Sequence, residues 1–341
     1  MTEYVLRGII LKKISGGSCM DVFFYILSHN ILPIIFIVAL GFMMGKRFRM
    51  DIQTLSKLNF YIFVPAFTFY QIYTTDLPDS MLWVLLFALA MLFVNYLVAL
   101  LFGKFRRYDV GMRNAFMNSL MFYNSGNIGI PLITLVFSGM PFIVAGETPY
   151  LAPALALQVV VLIIQNLSVN TLGFYNAGIG KKMSWKEALA SVFKMPTVYA
   201  IPLAFLFKYC VSYDLTQFPL WAGIQYLKEG LVPIALFTLG VQLSRTKISR
   251  PSVNVGIAVL MRLVGGPLLA MGLIYLFRFD HFTAQVLMMS SSVPTALNTA
   301  LIAVERDNHP QFASQTVLYA TLLSPLTLTC VVYLSRLVFP I

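Results

Sequence analysis

Charge is scarce in this sequence. Only 11% of its 341 residues are charged, 59% are hydrophobic, and the mean hydropathy is +0.80. A soluble domain carries about 25% charged residues. The shortage excludes a large soluble core and leaves a polytopic membrane protein. Cysteine is scarce too. Cys19, Cys210 and Cys330 are far apart and lack metal-ligand spacing, which excludes a disulfide framework and a zinc site. The three histidines, His29, His281 and His309, sit near segment ends and form no cluster. No Ser/His/Asp set, metal cluster or phosphate-binding loop is present, so nothing points to an enzyme, a metal or a cofactor.

What the chain has instead is long apolar runs. A bilayer span takes roughly 20 apolar residues. Ten runs qualify, at about 22–45, 54–75, 81–103, 111–137, 149–175, 193–212, 219–243, 256–278, 282–304 and 313–339. The expected fold class is therefore an all-α integral membrane protein with ten transmembrane helices. The net charge of +11 comes from Lys and Arg in the short loops between runs, which suits membrane topology better than nucleic-acid binding. Loop 1–2 (Lys46, Arg47, Arg49, Lys57), loop 3–4 (Lys104, Arg106, Arg107, Arg113), loop 5–6 (Lys181, Lys182, Lys186, Lys194) and loop 7–8 (Arg245, Lys247, Arg250) are basic. Loops 2–3 and 4–5 have no Lys or Arg. Basic loops stay inside, so both termini are expected outside the plasma membrane. Residues 1–19 read as an N-terminal extension outside the fold, with Met20 as the natural start.

Two of the runs are interrupted. Segment 4 contains Tyr123-Asn124-Ser125-Gly126-Asn127-Ile128-Gly129-Ile130-Pro131, and segment 9 contains Ser290-Ser291-Ser292-Val293-Pro294-Thr295-Ala296-Leu297-Asn298-Thr299. Hydrocarbon offers the backbone no hydrogen-bond partners, so such breaks survive only inside protein or along a cavity. Paired breaks in two halves of a chain point to the midplane site of a secondary transporter. A broken helix presents unpaired N–H groups at the start of its second half, where the dipole is positive. Two such half-helices make a carboxylate-sized set of donors. Asn124, Asn127 and Asn298 add amide donors, and Ser125, Thr295 and Thr299 add hydroxyls. Gly126 and Gly129 allow close approach to the backbone. Pro294 and Pro131 mark the breaks. The competing reading is that the asparagines simply join helices.

Other polar and aromatic residues admit two readings as well. Gln158 and Gln165 are seven apart and share a face of segment 5, with Asn166 and Asn170 nearby. They line a substrate path or they bond helix to helix. Phe69 and its aromatic neighbours on segment 2 make an apolar wall for a ligand or ordinary packing. Arg262 is expected near the cytoplasmic end of segment 8, where it would bind lipid headgroups or steer anions. No acidic residue or histidine falls at the predicted site, which leaves facilitated transport or proton coupling through the substrate's own carboxyl group. A cation/proton antiporter and a non-transporting ligand sensor are the alternatives to an anion permease.

Five segments per half would give the halves opposite topology, a 5+5 inverted repeat of residues 20–175 and 193–341 joined by a cytoplasmic linker at 176–192. Val64-Pro65 in segment 2 echoes Val232-Pro233 in segment 7, and Asn127 in segment 4 echoes Asn298 in segment 9.

These residues resemble the auxin efflux carrier family, which includes plant PIN-type exporters and bacterial organic-anion permeases such as malonate carriers. Asn124-Ser125 with Gly129-Ile130-Pro131-Leu132 is similar to that family's segment 4 signature. Val64-Pro65-Ala66, Gln165, Arg262-Leu263-Val264-Gly265-Gly266-Pro267, Pro294, Val304-Glu305 and His309-Pro310 resemble its other motifs in order. The resemblance implies a fold like that of the bile acid sodium symporters. In it, segments 1, 2, 6 and 7 form a scaffold, and segments 3–5 and 8–10 form a transport domain in which broken helices 4 and 9 cross. It also implies elevator-like alternating access, a homodimer and a small organic anion as substrate. Segment 3, from Met81 to Gly103, carries no carboxylate, unlike the plant exporters, so auxin itself is not the expected substrate.

Overall fold

The computed structural model describes residues 19–75, 80–178, 193, 196–211, 213–246 and 250–341. The expected extension at 1–19, except Cys19, and the expected linker beyond residue 178 lie outside the described residues. Among the described residues the regular structure is helical, apart from two isolated β-bridges.

In chain order the helices are α1 (Met20–Arg47), α2 (52–74), α3 (Met81–Phe105), α4 (Val110–Met121), α5 (Ser125–Phe137) and α6 (Leu151–Gly178). They continue with α7 (Pro196–Cys210), α8 (Trp221–Arg245), α9 (Val253–Phe277), α10 (His281–Ser292), α11 (Leu297–Glu305) and α12 (Pro310–Val338). Six of them, α1, α3, α6, α8, α9 and α12, are long and apolar enough to cross a membrane. The chain is thus an all-helical integral membrane protein. Aspartates set several helix starts by accepting first-turn N–H groups. Asp51 caps α2 through Gln53 and Thr54, Asp109 caps α4 through Met112, and Asp280 caps α10 through Thr283.

Four prolines leave a common mark. Pro33, Pro65, Pro131 and Pro267 each stand two residues after the end of a five-residue wide turn, at Leu27–Ile31, Asn59–Phe63, Ser125–Gly129 and Met261–Gly265. Proline has no N–H, and its ring crowds the carbonyl four residues back. Widening the preceding turn relieves that clash and keeps the helix running.

Packing divides the helices into two groups. α1, α2, α7 and α8 pack on one another, and α3–α6 pack with α9–α12. The groups meet where α8 touches the start of α5, where α2 touches α6 and where α12 touches α1. The α1–α8 seam is built from small residues. A Cβ on Gly41 would lie 2.2 Å from the Phe237 carbonyl oxygen, one on Gly240 2.0 Å from that of Val38, and one on Gly45 2.3 Å from Ser244 Oγ. Close backbone approach of this kind is a usual way for helices to associate in lipid.

Candidate functional site

Two breaks, far apart in sequence, meet in space. α4 ends at Met121 and α10 at Ser292, and the extended residues that follow pair as an antiparallel bridge between Tyr123 and Thr295. The Asn124 N–H donates to the Pro294 carbonyl at 2.8 Å, and the Ala296 N–H donates to the Phe122 carbonyl at 2.9 Å. Thr295 Oγ1 donates to the Ser119 carbonyl at 2.9 Å. Backbone groups that hydrocarbon would leave unpaired are thereby satisfied by the opposite break.

Side chains complete the pairing. Asn124 caps α5, its Oδ1 accepting the Asn127 N–H at 3.1 Å. The opposite end of that amide, Nδ2, is buried and has no hydrogen-bond partner among the described residues. From α6, Gln165 Oε1 accepts the Tyr123 N–H at 3.1 Å, and Gln158 Nε2 donates to the Ser125 carbonyl at 2.8 Å. Their seven-residue spacing thus serves to brace the break. Gly129 leaves room for this glutamine, because a Cβ would fall 2.4 Å from Gln158 Nε2 and push the amide aside.

A cavity of about 30 Å³ opens beside the bridge, with room for one or two waters. Asn124, Ser125, Gly126, Asn127, Gln165 and Asn298, all predicted from sequence, line it. The remaining predicted residues stand elsewhere. Pro294 and Thr295 belong to the bridge itself. Thr299 turns its hydroxyl to the Ala296 carbonyl at 2.7 Å. Gly129, Pro131 and Gln158 lie behind the wall, and Pro65 follows the wide turn in α2. Phe69 packs against Tyr73 and Phe207, with ring centroids 6.1 and 6.3 Å away, so it is a packing residue in this structure. The aromatic residues on the cavity wall are Phe60, Phe122 and Tyr123.

Arg262 departs most from expectation. It is 0% exposed rather than at a headgroup surface. The wide turn at Met261–Gly265 aims it inward, over the ring of Tyr123 at 4.7 Å. Sequence reading also missed Asn59 of α2, which is buried and donates through Nδ2 to Asn127 Oδ1 at 3.0 Å.

The crossover gathers helix starts and polar donors, and among the described residues no Asp or Glu is buried. Leu297 and Asn298, in the first turn of α11, and Ser125, Gly126 and Asn127, in that of α5, all line the cavity. First-turn N–H groups are donors at the positive end of a helix. Leu297 also lines a second, larger cavity of about 610 Å³ between α8, α11 and α12, with Gln242, Arg245 and Gln315 on its wall. At the loop end of α4, the Met112 N–H, and then His309 at 3.6 Å, hold the Asp109 carboxyl below its usual range.

Known proteins place the chain. The family described as membrane transport protein matches residues 26–332. An "Uncharacterized transporter" of Methanothermobacter thermautotrophicus is 22% identical over 306 residues, 88% of this chain and 96% of that protein. A "Putative malonate transporter" of Rhizobium meliloti is 31% identical over 160 residues, 47% of each chain. The family match spans nearly every helix, including both halves of the crossover. The chain therefore belongs to the membrane transport protein family of the auxin efflux carriers, and is a transporter rather than an enzyme.

Proposed function

We propose that this protein is a permease for a small organic anion, a carboxylate, which binds where α4–α5 crosses α10–α11. One observation carries the proposal: the Tyr123–Thr295 bridge sets the starts of α5 and α11 around one cavity. The buried, unpartnered Nδ2 of Asn124 supplies a ready donor there, and the neighbouring helix starts supply more. A dehydrated carboxylate gains about 1.5–3 kcal/mol from each such hydrogen bond. The name of the Rhizobium relative agrees with a small dicarboxylate. A cation/proton antiporter would need a buried carboxylate, and none is buried among the described residues.

The transport cycle we propose is elevator-like, within a ten-span 5+5 inverted repeat. The packing supports it: α1, α2, α7 and α8 form one group, held by the glycine seam, and the crossover helices form the other. The cavity at the bridge is too narrow for a carboxylate, whereas the larger one reaches Leu297 from the side of Arg245. With basic loops inside, that side is cytoplasmic and both termini are outside the plasma membrane. A ligand screen tests the reading. Purified protein should melt at higher temperature with one or more mono- or dicarboxylates, malonate among them, and not with their amides. No shift with any carboxylate, together with no flux in vesicles, would overturn it.

A further inference from the structure

Arg262 makes contacts that substrate binding alone does not explain. Its Nη1 donates to the Leu120 carbonyl at 3.1 Å, and its Nη2 donates to the Ser291 carbonyl. Leu120 lies in the last turn of α4 and Ser291 in the last turn of α10. These are the two half-helices that stop at the breaks. The last carbonyls of a helix lack intrahelical partners and form its negative end, worth about half a charge. One guanidinium thus holds both negative ends at once. Gly266 makes room for it, since a Cβ there would lie 2.7 Å from Nη2. Its Nε has no partner among the described residues, and no buried carboxylate accompanies it.

The sum of these charges matters. A crossover of two broken helices has two negative ends and two positive ones. Left alone they nearly cancel, and the site attracts a cation to the one side as readily as an anion to the other. With a guanidinium on the negative ends, only the positive starts of α5, capped by the neutral Asn124 side chain, and α11 lack an opposite charge. Tyr123, whose ring lies against the guanidinium, also lines the cavity, so the charge stands one ring away from any ligand.

We infer that Arg262 is the specificity-determining residue of the crossover: a built-in cation that occupies both negative helix ends, makes the site select anions, and removes the need for a co-transported metal cation. The inference rests on the crossover being the substrate site. A full charge about 8 Å from a ligand, at an effective dielectric near 20, changes anion affinity on the order of tenfold or more.

The test uses purified full-length protein and ligand pairs, a carboxylate and its amide, such as malonate and malonamide. Wild type in choline, sodium and potassium buffers should bind the carboxylate equally and prefer it to the amide. Arg262→Lys should keep the preference, and Arg262→Gln should lose it by about tenfold or more. A strict sodium or potassium requirement in wild type overturns the inference. So does an Arg262→Gln variant with unchanged preference, or one that weakens both ligands equally. If Arg262→Gln does not fold, the wild-type cation series and Arg262→Lys decide: loss of the preference in a folded Arg262→Lys overturns the inference, and its retention upholds it. A wild type that binds no carboxylate overturns the site itself, whereas normal wild-type binding with an indifferent Arg262→Gln removes only the role of the arginine.

Discussion

Asn59 and Asn127 share a hydrogen bond, Nδ2 to Oδ1 at 3.0 Å, across 68 residues of sequence. It ties α2, in one packing group, to the first turn of α5 in the other. If the groups move relative to each other, this bond breaks once per cycle. Neutral bonds of this kind contribute about 1 kcal/mol. Asn59→Ala should therefore shift the balance between inward-facing and outward-facing forms by roughly fivefold, away from the form seen here. Distance measurements between spin labels on α2 and α5 would check it; an unchanged distribution would refute the link.

The capping and ligand-binding roles of Asn124 can be separated. Asn124→Asp keeps an oxygen for the Asn127 N–H, so α5 should still start in place. It replaces the free Nδ2 donor with a negative oxygen. Melting temperature should fall, because the new carboxylate is buried, but the protein should still fold, while carboxylate uptake drops on the order of a hundredfold. Asn298→Ala removes one donor without adding charge and should cost about 10- to 100-fold in affinity. Radiolabelled uptake into proteoliposomes measures both.

Gly129 and Gln158 form a coupled pair. Gly129→Ala places a methyl group 2.4 Å from Nε2 and should displace the glutamine. Gln158→Ala alone removes one of the two hydrogen bonds to the buried Ser125 carbonyl, which keeps the Ile130 N–H, at a cost of about 1 kcal/mol. Since both changes damage the same bond, the double variant should be less destabilised than the sum of the singles. Melting temperatures of the four proteins in detergent test this, and strict additivity would contradict it.

The α1–α8 seam gives a stability prediction with an internal control. Gly240→Ala drives a methyl into the Val38 carbonyl, which is main chain and has no rotamer to escape into. Overpacking of this kind costs about 1–3 kcal/mol or more. Gly256 lies in α9 with nothing within 4 Å of its would-be Cβ, so Gly256→Ala should not destabilise and should gain up to about 1 kcal/mol of helix propensity. Size-exclusion profiles after a heating series would compare the two.

Much of this arrangement was legible in the sequence. Apolar runs gave the helices, because a bilayer leaves so few alternatives. Asn, Gly and Pro inside such runs gave the breaks at 123–131 and 290–299 for the same reason. The seven-residue spacing of Gln158 and Gln165 puts them on one face, though spacing alone leaves open which main-chain groups they hold. Arg262 falls near the cytoplasmic end of its span only if residues 251–257 form an interfacial elbow, and they do not. α9 starts at Val253, and the wide turn before Pro267 swings the side chain inward. Neither effect is visible as composition. Asn59 was overlooked for a plainer reason: a lone amide in an apolar helix carries no sign of which distant residue it will meet. Thr295 and Thr299 have ligand-like hydroxyls, yet both donate to nearby carbonyls, because a buried hydroxyl left without a partner costs free energy.

The glycine seam bears on where motion can occur. At Gly41 and Gly240 main chain rests directly on main chain, without side chains between to deform. Sliding one rod along the other by part of a turn would press a carbonyl oxygen into a methylene, so α1 and α8 must travel or stay put as a single beam. Any rearrangement that carries solute across is thereby confined to softer contacts, where flexible side chains separate the crossing helices from that beam.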